Sequence, residues 1–156
     1  MIAIDCTIDA DGWPDETACL LIANRAISAI GNIPEISIPV NAEVSLMFTD
    51  DQQMRELNLR WREQDRSTNV LSFAANEGNG PTTPLLGDIV LAHATIAKEA
   101  IDQGKVFEDH LAHLIVHGFL HLVGFDHIDD GQAEQMEQLE REICSSIGIA
   151  DPYAAH

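Results

Sequence analysis

The chain has 156 residues, 46 % apolar and 22 % charged, which fits one globular domain with a real core and excludes a disordered segment. Its formal net charge is −18, with 8 basic residues against 26 acidic, so broad electrostatic binding to a polyanion is excluded and any phosphate contact must be local. No apolar run approaches the roughly 18–20 residues of a membrane helix, the N-terminus MIAIDCTIDADGWPD lacks a basic leader, and Cys6, Cys19 and Cys144 are spread without a CxxC; no membrane, no secretory signal and a reducing cytoplasm are expected.

In chain order, IAIDCTI (2–8) alternates apolar and polar and predicts a strand. Pro14 opens a predicted helix over 14–30, stopped by Gly31. AEVSLMFT (42–49) is a second strand. Asp50 then caps a helix over 51–60, with Gln53 completing a capping box. VLSFAA (70–75) is a third strand and NEGNGPTTP (76–84) a turn-rich loop. DIVLA (88–92) is a fourth strand, followed by a helix near 94–103. A helix from 107 to Val123 ends at Gly124. A last amphipathic helix follows Gly131, its stripe marked by Met136, Leu139, Ile143 and Ile147. The interleaving predicts an α/β fold, with a segregated α+β layout as the alternative. It has a small mixed four-stranded sheet covered by about five helices, and residues 1–156 form one domain.

The segment HLIVHGFLHLVGFDH (113–127) holds four of the seven histidines. At about 100° per residue, His110, His113, His117 and His121 share one arc of roughly 80° on an otherwise apolar helix. That arc must face a cleft or polar pocket. His117 and His121 are i,i+4 and can reach one ion, and the stop at Gly124 lets His127 return to a third corner. H-x3-H-x5-H is a zinc signature, and three imidazoles leave a fourth position open, as in catalytic sites. His110 and His113 are either outer-shell groups or hydrogen-bonded wall residues. Asp126 orients a ligand, works in catalysis or caps a turn.

The same spacing matches the metzincin pattern HExxHxxGxxH, but Gly118 stands where that pattern has its general base. Peptide hydrolysis loses its base, whereas a phosphodiester can be cut with a metal ion and a cationic clamp. Arg55, Arg60, Arg62 and Arg66 fall within twelve positions, either as a solvated helix face or as such a clamp.

Three stretches resemble the YbeY family of bacterial endoribonucleases: MRELNLRWREQDRSTNVLSF (54–73), LGDI (86–89) and AHLIVHGFLHLVGFDH (112–127). The resemblance implies that His117, His121 and His127 hold one Zn²⁺ per chain. It implies that Arg62 meets the scissile phosphate, with Arg60 and Arg66 as auxiliary contacts, and it places Asp88 on the family's aspartate. Trp61 and Phe125 stand where tyrosine-like residues are usual, and Ser67 and Ala74 replace prolines. The function implied is a zinc-dependent, single-strand-specific endoribonuclease acting in 16S rRNA maturation and ribosome quality control. Its partners would be single-stranded RNA, rRNA precursors, and the small ribosomal subunit or assembly proteins. The alternatives are a metalloprotease-like hydrolase and a non-catalytic ribosome assembly factor.

Overall fold

A computed structural model describes residues 2–75 and 83–154. Four strands form one sheet in the order β1-β2-β4-β3: β1 Ala3–Ile8, β2 Glu43–Thr49, β3 Val70–Ala74 and β4 Leu85–Ala92. β1 and β2 run parallel, as do β2 and β4, while β3 is antiparallel to β4 and lies at an edge. Five helices complete the fold: α1 Glu16–Gly31, α2 Asp51–Arg62, α3 His93–Asp102, α4 Phe107–Leu122 and α5 Asp130–Ser146. The mixed α/β expectation holds in strand number, helix number and order.

The boundaries differ from the sequence reading for local reasons. β4 begins at Leu85, because Leu85 pairs with Glu43 before a register shift at Glu43/Val44 breaks the alternation. α2 runs on to Arg62, where Glu63 closes it in the left-handed region at φ 57°. Asp50 Oδ1 accepts from the Gln53 N–H at 2.8 Å, but the Gln53 side chain donates to the Asp9 carbonyl, so only half of the capping box forms. α5 starts ahead of Gly131, because Asp129 caps it by accepting from the Gln132 N–H at 2.8 Å. The loop expected over 76–84 lies outside the described residues from 76 to 82.

The larger core sits between the sheet and α1, α4 and α5, around Phe48, Ile89, Leu91, Ile115 and Phe119. A smaller one on the opposite face joins Met54 of α2 to Val90 and Ala92 of β4, with Leu71 and Phe73 of β3 against it. α4 is therefore a central helix, apolar nearly all round, and its few polar side chains must find partners inside the fold. This packing fixes the histidine arc in space.

Candidate metal centre

The arc divides into two halves. His110 and His113, in the first half of α4, are buried against carboxylates from neighbouring helices: His110 Nε2 lies 2.9 Å from Glu99 Oε1 of α3, and His113 Nε2 lies 2.6 Å from Glu140 Oε1 of α5. They are hydrogen-bonded wall residues. His117 and His121, one and two turns on, open into a cleft of about 700 Å³.

α4 stops because Gly124 takes φ 105°, a conformation that glycine adopts without strain. The Phe125 N–H then bonds back to the Leu120 carbonyl at 3.0 Å, and the chain folds over the end of the helix. The Asp126 carboxylate accepts from the His127 N–H at 2.8 Å and fixes the bend. His127 is thereby delivered beside the other two. The ring centroids stand 4.7 Å (His117–His121), 5.0 Å (His121–His127) and 5.8 Å (His117–His127) apart. One nitrogen from each ring lies within 4.8 Å of the others, and His117 Nε2 is 3.2 Å from His121 Nε2. Ligands at about 2.0–2.1 Å from a tetrahedral ion are roughly 3.3 Å apart, so the donor set suits a divalent metal and His117 and His121 already stand at ligand spacing.

The electrostatics favour a neutral His121 ring. Burial, then the neighbouring His117 and His127, push His121 down to about 4, against a weaker opposing effect of Asp126. The Asp126 carboxylate lies 3.9 Å from His121 Nδ1, too far for a hydrogen bond. Burial would raise the Glu140 carboxyl, but its bonds from His113 and His117 prevail and hold it down at about 2. It is ionised at neutral pH and accepts only, so His117 donates from Nδ1 at 3.1 Å and keeps its Nε2 lone pair for the cleft.

Arg62 lines the same cleft. Its Nη2 donates to the Ser72 carbonyl at 2.7 Å, and its guanidinium sits 5.3 Å from the Phe73 ring centroid. The β3–β4 pairing turns Asn69 and Ala75 toward β4, so the Ser72 carbonyl points outward from the sheet edge, where an arginine can reach it. Asp126 is the only carboxylate among the described residues lining the cleft. Arg60 rests near the exposed Trp61 ring, and neither it nor Arg66 is part of that lining. Arg55 is taken by Asp65, whereas Arg60, Arg62 and Arg66 have no carboxylate partner among the described residues. Asp88 is not brought to the cleft; it is exposed on β4 across from Phe73.

Two features escaped the sequence reading. Gly118 faces the sheet: a Cβ there would meet Ser72 Oγ at 2.9 Å and Ile89 Cγ2 at 3.0 Å, while the Ser72 hydroxyl donates to the Gly118 carbonyl. The glycine is there for close helix–sheet approach. Glu140 is one of several acids on α5. Its signal is its phase: at about 100° per residue it falls about 20° beyond Ile147, at the margin of the stripe of Met136, Leu139, Ile143 and Ile147, and it is buried with Met136, Leu139 and Ile143.

Fold and site together define an α/β protein with a three-histidine centre able to hold a metal ion. The sequence profile of the family described as Endoribonuclease YbeY matches residues 15–148, and the chain belongs to that family. It is 46 % identical to the endoribonuclease YbeY of Agrobacterium fabrum, covering 97 % of this chain and 94 % of that one. It is 45 % identical to the Bartonella henselae protein of the same name, over 99 % and 98 % of the two chains. A solution structure from Thermotoga maritima superposes with a TM-score of 0.56 at 22 % identity, covering 99 % of this chain and all of that one, and bears on the fold alone.

Proposed function

We propose that the chain is a zinc-dependent endoribonuclease specific for single-stranded RNA, acting in the cytoplasm in 16S rRNA maturation and ribosome quality control, with residues 1–156 as its single domain. As a member of an endoribonuclease family it is a hydrolase of RNA phosphodiester bonds. The observation that carries the finer reading is the convergence of His117, His121 and His127 in the cleft that Arg62 also lines.

Three imidazoles suit zinc better than the hard cations. When bound, the ion supplies Lewis acidity to a phosphoryl oxygen and lowers the pKa of water. The chain does the rest. Arg62 spends one N–H on the Ser72 carbonyl, and its remaining donors and charge are left for a non-bridging phosphate oxygen. Stacking on Phe73 holds the guanidinium plane. Asp126 is the cleft's own carboxylate and takes the role of proton acceptor. Arg60 and Arg66 steer neighbouring phosphates from outside the cleft, and the exposed Trp61 offers a face to an unstacked base. Asp88 has no part at the cleft in this reading.

The acidic surface leaves little general attraction for RNA, so delivery by the small ribosomal subunit or an assembly protein completes the picture. The protease alternative lacks its base, because position 118 is pressed against Ser72.

Cleavage of a single-stranded RNA by wild type and Arg62→Ala tests the reading. The variant is expected to lose roughly 100-fold in rate or more with its melting temperature nearly unchanged. Full cutting by Arg62→Ala would leave the arginine without a catalytic role, and no cutting of single-stranded RNA by the wild type would favour the assembly-factor alternative.

A further inference from the structure

Glu140 is buried, yet it comes from α5, whose remaining surface is strongly acidic and solvated. One of its oxygens, Oε1, receives three donors: His113 Nε2 at 2.6 Å, His117 Nδ1 at 3.1 Å and the Tyr153 hydroxyl at 2.8 Å. The other, Oε2, is buried without a hydrogen-bond partner. A carboxylate so placed is costly unless a positive charge answers it. None of the lysines or arginines forms an ion pair with it among the described residues. The ring of His117 connects it to the metal site: Nδ1 faces Glu140, and Nε2 faces His121.

We propose that Glu140 is the positioning residue of the metal centre. Its carboxylate holds His117 in the tautomer with the proton on Nδ1, turns Nε2 toward the ion, and supplies the buried negative charge that the ion neutralises through the ring. His113 and Tyr153 hold the carboxylate in place and touch no other member of the ligand trio in this way. The link runs one way through the trio, since the nearest carboxylate to His121 is beyond hydrogen-bond distance. His117 is therefore the anchored ligand, and the C-terminal segment that carries Tyr153 is part of the site. Outer-shell carboxylates on ligand histidines commonly set affinity by 10–100-fold.

This inference rests on the three-histidine reading, and the test separates the two. Zinc affinity is measured on the full chain by competition with a chromophoric chelator at pH 8, for wild type, Glu140→Gln and Glu99→Gln. Glu140→Gln keeps the shape and an acceptor while removing the charge, and a 10–100-fold weaker affinity is expected. Glu99→Gln alters the matching carboxylate on His110, which touches no ligand ring, and wild-type affinity is expected. In the metal-free proteins, nitrogen NMR of the His117 ring should show one Nδ1–H tautomer in wild type and a mixture in Glu140→Gln. Equal affinity and an unchanged tautomer in Glu140→Gln overturn the proposal. A wild type that binds no zinc defeats the metal reading, while the tautomer still decides whether Glu140 positions the ring. Should Glu140→Gln fail to fold, Glu140→Asp keeps the charge and withdraws it from His117 by one methylene. A smaller but clear loss of affinity is expected there, and wild-type affinity would overturn the proposal.

Discussion

At position 118 a side chain would enter the sheet and miss the cleft. The space is closed by Ser72, Ile89 and Val70, and the Ser72 hydroxyl locks the helix down by bonding to the Gly118 carbonyl. A glycine read in the sequence as a missing base is thus a packing residue. Writing the protease pattern back in makes the point testable. Gly118→Glu should lower stability by roughly 3 kcal/mol or more in urea unfolding, because it overpacks the helix–sheet contact and brings a charge against Ile89 and Val70. It should gain no peptidase activity. A variant as stable as wild type would mean that this face of α4 is not tightly packed.

At the scale of elements, α4 does two jobs with one arc. Its first half is glued by Glu99 and Glu140, and its second half presents His117 and His121. Burial has a consequence in acid. The free chain protonates His121 near the ordinary 6.5, but the folded protein resists until about 4. The unfolded state therefore binds the proton first, and the stability involved is full above pH 6.5 and declines as pH falls from there toward 4. Metal-free wild type should lose on the order of 2 kcal/mol relative to His121→Gln between pH 7 and pH 5, as read from paired urea titrations. The variant cancels the chain-wide relief of negative charge. A difference that stays flat over that window would show that His121 is not desolvated.

The same elements explain what the sequence made legible. The i,i+4 pair and the glycine stop are local geometry, written within eleven residues, so His117, His121 and His127 could be read directly. The strands and helices followed from periodicity, and their errors lie at ends where a cap or a register shift decides, as at Asp129 and Glu43. Glu140 and the cleft face of Arg62 depend on which elements meet. His117 and Glu140 are 23 positions apart, and Arg62 has its geometry from the outward carbonyl of an edge strand. No periodicity contains that information, although a charge at the margin of an apolar stripe is a mark of it.

Over the whole molecule, charge is distributed against function except at one place. Eight basic residues serve 156 positions, and Arg55, Lys98 and Arg141 are already engaged by acids. Of the four arginines without such partners among the described residues, Arg60, Arg62 and Arg66 lie at the end of α2 and in the turn before β3, with Arg62 in the histidine cleft, while Arg25 on α1 donates to the Ile147 carbonyl. The formal charge of −18 opposes a polyanion over most of the surface, and in the proposed reading RNA enters only at Arg60, Arg62 and Arg66. A metal ion held by the three histidines would answer the buried Glu140 charge. Metal content and cutting should therefore move together. The most direct measurement is elemental analysis of the purified protein combined with cleavage of a single-stranded RNA before chelation, after chelation and after zinc is restored. About one zinc per chain is expected in wild type and none in His121→Ala, with cutting abolished by chelation and recovered with zinc. Chelated, metal-free protein that cuts at the full rate would contradict the account.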